Sequence, residues 1–218
     1  MRNLLHAVTV QSKIADRVTV LFSGGKDSVV TLDLCRRYFS TVNMAFMYYV
    51  PGLSFQQKII RHYERVLGTE CVCVPHFELS LMLRYGLYRL HDITVPALRC
   101  ADIYNYIREL TDTYWLAGGE RINDSIVRRA MIKRSGSVDA KRGRFYPLAE
   151  WAKSDVLEYI RKNKLKVSEE SEILGHSFRS LDGETLLNVK THYPDDYRLI
   201  ENWFPLCRAG MVKVGAKE

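Results

Sequence analysis

The stretch "VTVLFSGGKDSVVTLDLC", residues 18–35, decides the fold. An apolar, β-branched run over residues 17–22 has strand character and ends at Phe22. Six small or polar residues follow, Ser23-Gly24-Gly25-Lys26-Asp27-Ser28, and the chain leaves them as an apolar helix over 27–39. Adjacent glycines open backbone conformations closed to other residues. The small side chains leave amide groups bare, and the helix that follows aims its positive end at the same place. Such a corner suits an anion. It is not a Walker A loop, which needs glycine where Val20 stands and Ser or Thr where Asp27 stands. The dinucleotide fingerprint G-x-G-x-x-G is absent as well.

Outward from the corner, strand-length apolar runs alternate with segments of helical period. "NMAFMYYV" (43–50), "ECVCVP" (70–75) and "TYWLAGG" (113–119) are expected strands. Helices are expected over 55–67, in "ELSLMLRYGL" (78–87), over 101–110, over 124–133 from an Asp-Ser pair suited to capping, and over 153–162. This alternation predicts an α/β fold, a parallel sheet covered by helices on both faces. Ligands of such sheets sit beyond the carboxyl ends of the strands. Both glycine-rich corners, after Phe22 and at Gly118-Gly119, fall on that edge. Beyond "FYPLAEW" the pattern changes, so residues 1–165 are expected as the α/β domain and 166–218 as a small, mainly helical extension packed on it.

Composition is that of a globular protein, 47% hydrophobic and 26% charged, with no apolar run of membrane-span length and no signal-peptide core, which predicts a cytoplasmic protein. The five cysteines (Cys35, Cys71, Cys73, Cys100, Cys207) form no CxxC pair; Cys71 and Cys73 share one face of a strand and read as buried apolar residues. Net charge is +7, and the segment from Arg128 to Arg144 holds seven Lys/Arg against the single acid Asp139. It is either a solvated helix end and loop, or a phosphate flap or nucleic-acid contact.

"SGGKDS" resembles the PP-loop, S-G-G-x-D-S, of the ATP pyrophosphatases and their relatives. "GERINDSIVRR" (119–129), "YPLAEWAKSDVLEYI" (146–160) and "LRCADIYNYI" (98–107) are similar to signatures of the phosphoadenosine phosphosulfate (PAPS) reductase family. "VPGLSFQ" and "VPHFELSLML" resemble its phage and mobile-element branch. The resemblance implies the adenine nucleotide α-hydrolase (HUP-type) fold with a parallel sheet of five strands. It implies phosphate binding by Ser23, Gly24, Gly25, Asp27 and Ser28, with Lys26 at the variable position and Gly118 and Gly119 at the second corner.

In relatives that use ATP, the bond between the α and β phosphates is broken and pyrophosphate leaves, an adenylyl transferase chemistry. Lys26, Asp27, Arg121 and Arg128 are the implied catalytic residues, the arginines neutralising charge on the departing phosphates or the second substrate. Asp27 is read either as a cap of its helix or as a contact of Mg²⁺ carried on the phosphates, and Asp124 as a capping carboxylate. The ligand the resemblance implies is ATP, or PAPS, with Mg²⁺. The reductases' C-terminal Glu-Cys-Gly-x-His segment does not occur; Cys207 lies in "FPLCRAGMVKV" with only Arg208 as a cationic neighbour. Three functions stay open: an ATP-using, AMP-forming enzyme whose chemistry a protein partner completes; a PAPS reductase using Cys207 or Cys100; and a nucleotide sensor or nucleic-acid-binding regulator using residues 128–144.

Overall fold

The computed structural model describes residues 4–178 and 180–215. Its centre is β1 (Arg17–Phe22), whose Val18, Thr19 and Val20 are wholly buried on both faces. β1 pairs in parallel with β2 (Thr41–Tyr48), matching Phe22 with Phe46, and β2 pairs in parallel with β3 (Cys71–Pro75). On its other side β1 meets β4 (Leu116–Ala117), which pairs with β6 (Arg144–Phe145). The sixth strand, β5 (Val138–Asp139), runs antiparallel to β6 at the edge, so the order is β3-β2-β1-β4-β6-β5.

The sheet thus has one strand more than the five expected, and its last pairing is antiparallel. The basic stretch 128–144, read in its plainer form as a solvated helix end and loop, is a helix end up to Ser135, and the loop that follows is an edge hairpin. A 3-10 turn, Ala140–Arg142, and Gly143 at φ +57° close it. β4 is shorter than the strand expected over 113–119, although Trp115 C=O and Gly118 N–H continue the ladder on either side. Cys73 is exposed and Cys71 half-buried, against the expectation for both, because β3 is an edge strand with one flank uncovered.

Helices α1 (His6–Gln11), α2 (Lys26–Tyr38), α3 (Ser54–Leu67), α4 (Phe77–Tyr85), α5 (Cys100–Thr111), α6 (Ile126–Ser135) and α7 (Lys153–Asn163) connect or flank the strands. α2 buries Val29, Val30, Leu32, Leu34 and Cys35 in the main core, which Trp151 and Phe145 complete. Asp33 on α2 is 1% exposed and accepts from Arg36, Arg37 and the Tyr159 hydroxyl of α7 at 2.7–2.9 Å. The two arginines hold the carboxylate from within α2, and the Tyr159 hydroxyl ties α7 to it.

The remaining helices are α8 (Glu169–Leu174), α9 (Gly183–His192), α10 (Pro194–Trp203) and α11 (Arg208–Gly215). Leu186, Val189, Tyr197, Ile200 and Phe204 of this region close a second core over Tyr49, Val50, Leu53 and Phe55, the segment that follows β2. Each such side chain stabilises by roughly 1.5–3 kcal/mol. Asp196 of α10 also accepts from the Ser54 amide and hydroxyl, both at 2.7 Å, at the start of α3. None of the helices among the described residues is long and apolar enough to cross a membrane.

Replacing Asp33 with Asn keeps its shape and removes its charge from three donors. The expected loss is about 1–3 kcal/mol. At this chain length that lowers Tm by roughly 3–10 °C in a thermal melt.

Candidate functional site

The corner after β1 is held by serine hydroxyls. Ser28 Oγ accepts from the Ser23 amide at 3.1 Å and from Ser23 Oγ at 3.2 Å, and donates to Gly25 C=O at 2.9 Å. Gly24 has φ +76°, the left-handed region that favours glycine, and a Cβ there would lie 2.9 Å from Ile59 Cγ2. Gly25 is the N-cap of α2, with no side chain capping the helix. The first backbone bond at that end runs from Val29 N–H to Gly25 C=O at 3.0 Å. The amides of Gly25, Lys26, Asp27 and Ser28 therefore precede the helical ladder and face outward. A set of outward amides at the end of a thirteen-residue helix is an anion site in waiting.

Asp27 is not the cap. Its Oδ2 takes Lys26 Nζ at 2.6 Å, and its Oδ1 lies 3.1 Å from Arg121 Nε, near enough for charge attraction but not aligned as a hydrogen bond. Arg121 is 5% exposed and spans the two corners: its Nη2 donates to Asp124 Oδ1 at 2.6 Å, and its amide to Asp124 Oδ2 at 3.0 Å. Arg128, about half exposed, donates to the same Asp124 at 2.9 Å. Asp124 is thus a receptor for two arginines. The cap of α6 is Ser125, whose hydroxyl accepts from the Arg128 amide at 3.1 Å. The structure gathers Ser23–Ser28, Gly119, Arg121 and Arg128 at the carboxyl edge of β1 and β4.

Gly119 is required by close approach, since a Cβ there would lie 3.0 Å from the carbonyl carbon of Asp27 and 3.1 Å from Ser28 N. At Gly118 a side chain would collide with the Glu120 carboxylate, which receives Arg144 Nη2 at 2.9 Å. Arg144 is buried with its guanidinium 4.6 Å from the Tyr104 ring and 5.3 Å from that of Tyr146. Cys100 opens α5 and is half-buried. Cys207 is fully buried; desolvation pushes its thiol pKa up, and its Sγ faces the Tyr197 hydroxyl at 4.0 Å.

Two residues invisible to motif reading complete the corner. The Ser168 amide donates to Gly24 C=O at 3.1 Å, and Ser177 Oγ lies 3.5 Å from where a Cβ on Gly25 would stand, the same distance as Ser23 Oγ. Their only sequence signal is a cluster of serines in a segment of turns, some 140–150 positions from the loop they cover. Beside them a pocket of about 220 Å³ is lined by Phe55, Lys58, Ile59, Lys166, Ser168 and Tyr193 among others. The register of Phe22 with Phe46 carries residues 47–50 alongside the corner.

Fold and corner together define an adenine nucleotide α-hydrolase-like α/β protein. The chain belongs to the phosphoadenosine phosphosulfate reductase domain family, whose model matches residues 17–183. No curated protein matches the chain. Among solved structures it is similar to a PAPS reductase from Candida auris in its phosphate complex, with TM-score 0.52, 15% identity, and coverage of 79% of this chain and 84% of that one. It is similar to an NH3-dependent NAD synthetase from Campylobacter jejuni bound to nitrate, with TM-score 0.51, 15% identity, and coverage of 96% and 91%. A U34-tRNA thiolase from Methanococcus maripaludis follows at TM-score 0.48 and 16% identity, over 94% and 79% of the two chains. At these identities the likeness is one of fold.

Glu170, two residues from Ser168, is 1% exposed and leaves Oε2 without a donor. Burial pushes its carboxyl pKa up to about 7. The folded state therefore holds this proton more tightly than the unfolded chain does. The associated stability is complete below the ordinary carboxylate range and is lost as pH rises towards about 7. Glu170→Gln removes that slope. In melts across pH 4–8 the variant's Tm should pull ahead of the parent's with rising pH, by an amount corresponding to about 3 kcal/mol at pH 8.

Proposed function

We propose that the corner holds the phosphate chain of ATP and that this cytoplasmic protein cleaves the bond between the α and β phosphates. An acceptor atom attacks the α-phosphorus, the α–β bridging bond breaks, its electron pair leaves with pyrophosphate, and AMP stays on the acceptor. A protein partner finishes the chemistry on the activated product. The observation that carries this reading is the set of outward amides of residues 25–28 at the head of α2, flanked by the hydroxyls of Ser23 and Ser177.

In this reading the amides and hydroxyls bind and orient the phosphates, each charge-assisted bond contributing roughly 1.5–3 kcal/mol. Lys26 and Arg121 balance the charge of Asp27 in the ground state. Arg128, exposed enough to turn outward, meets the charge that grows on the leaving group. The main chain of residues 46–50 lines the adenine. Asp27 Oδ1 receives no hydrogen bond but faces Arg121 Nε at 3.1 Å, so Asp27 would reach a Mg²⁺ carried on the phosphates only by exchanging that guanidinium for the metal. When bound, that ion would neutralise phosphate charge. Residues 1–165 supply the nucleotide domain, and the extension 166–218 supplies Ser168 and Ser177 to it.

Sulfate reduction needs an accessible, activated thiol. Cys207 is buried with a raised pKa, which disfavours the reductase reading. ATP labelled at the α-phosphate should give pyrophosphate together with AMP or an adenylylated product. Ser177→Ala should weaken ATP binding about tenfold in calorimetry, the loss of one hydrogen bond to a charged group. Gly24→Val, which adds strain and a clash with Ile59, should abolish binding. Sulfite formed from PAPS with a thiol donor, and lost in Cys100→Ser, would replace the ATP reading with the reductase. Nucleotide uptake with no pyrophosphate under any acceptor would reduce the protein to a sensor.

A further inference from the structure

We propose that the face built by α6 and the turn before β6 docks a single strand of nucleic acid, and that this strand carries the group activated at the corner. The second half rests on the ATP reading; the first does not.

The positive charge of residues 128–144 is of two kinds. Arg128, Arg142 and Arg144 are neutralised within the protein by Asp124, Asp139 and Glu120. Arg129, Lys133, Arg134 and Lys141 have no carboxylate at ion-pair distance among the described residues, although Arg129 Nε reaches the Ile122 carbonyl at 3.4 Å. Four cations left uncommitted on ten residues of helix and one turn create a local field that attracts a polyanion.

Their arrangement selects among polyanions. Between α6 and the turn runs a cleft of about 470 Å³, with Arg134 and Ser135 on one wall and Lys141 and Arg142 on the other. Asp139 also lines it, but its Oδ1 is occupied by the Arg142 amide at 3.1 Å, where it caps the turn. A cleft walled by cations tracks a phosphate chain. Tyr114, about half exposed and outside the lining of the cleft, anchors the same turn by donating to Ala140 C=O at 2.6 Å, with the Arg108 guanidinium 5.7 Å from its ring. Cations interleaved with an exposed ring are what single strands use, through phosphate contacts and base stacking.

A lipid surface fits less well. α6 turns Ile132 inward, and its exposed apolar pair, Ile126 and Val127, lies at the opposite end from Arg134 and the turn. That end is also where α6 meets the corner. The helix begins two residues after Asp124, which holds Arg121, which in turn faces Asp27. A strand lying along α6 is thereby led from the cationic cleft towards the phosphates.

The test uses the full chain, fluorescently labelled single-stranded RNA and DNA of about 20 nucleotides, and no ATP. Anisotropy titrations across salt should give a steep fall in affinity, with a log–log slope near −3 for about four phosphate contacts. The triple variant Lys133→Ala/Arg134→Ala/Lys141→Ala, verified as folded by its melt, should flatten that slope by about 2. A flat salt response, unchanged binding by the triple variant, or capture by phosphatidylserine vesicles without strand binding would overturn the docking surface. The strand that binds should then raise pyrophosphate release by the parent and not by the triple variant, whose ATP binding in calorimetry stays intact. Strand binding that leaves release unchanged overturns the acceptor half alone. Failure of ATP binding in that calorimetry assigns the fault to the nucleotide reading instead.

Discussion

The Arg121 guanidinium, buried between the carboxylates of Asp27 and Asp124, is the contact on which the site depends. One carboxylate belongs to the first turn of α2, the other to the approach to α6, so a single side chain joins the two glycine corners. A charge held out of water costs several kcal/mol unless matched, and here it is matched twice. Removing either acid would leave the buried guanidinium one carboxylate shared with a second cation, while removing the arginine would leave Asp27 and Asp124 without the cation that joins them. The close approach of Gly119 to the Asp27 and Ser28 backbone follows from the same junction.

Around that junction the protein divides its positive charge between internal and external work. Arg121 and Arg144 are buried and spoken for by acids, Arg144 also by the rings of Tyr104 and Tyr146. Arg128 stands between the two states, on Asp124 yet half open to solvent. Farther along α6, Arg129, Lys133 and Arg134 have no carboxylate at ion-pair distance among the described residues. In the reading proposed for the corner, phosphate recognition does not depend on formal charge alone. It can draw on outward amides and hydroxyls, which are fixed by the fold and need no reorganisation when an anion arrives.

The C-terminal helices place this economy in a closed setting. By packing Leu186, Ile200 and Phe204 over the segment after β2, they bring the chain between α7 and α9 across the head of α2. Ser168 ties that passage to Gly24, and Glu170 is buried beside it, where desolvation raises the carboxyl group's affinity for its proton. Residues far apart in the chain thus become neighbours of one loop.

By itself the sequence determined β1, the corner and α2, because strand and helix periodicity and paired glycines are local properties, written in consecutive residues. The second corner was legible for the same reason, and the kinship with the PAPS reductase domain followed from both. Tertiary structure alone decided that Asp27 and Asp124 bind arginines rather than cap helices, that the chain after α6 folds into an edge hairpin, and that Cys73 faces solvent. It alone brought Ser168 and Ser177 to the loop. A carboxylate at a helix start has the same local signature whether it caps or pairs, and what it meets depends on distant segments brought near by the burial of the core.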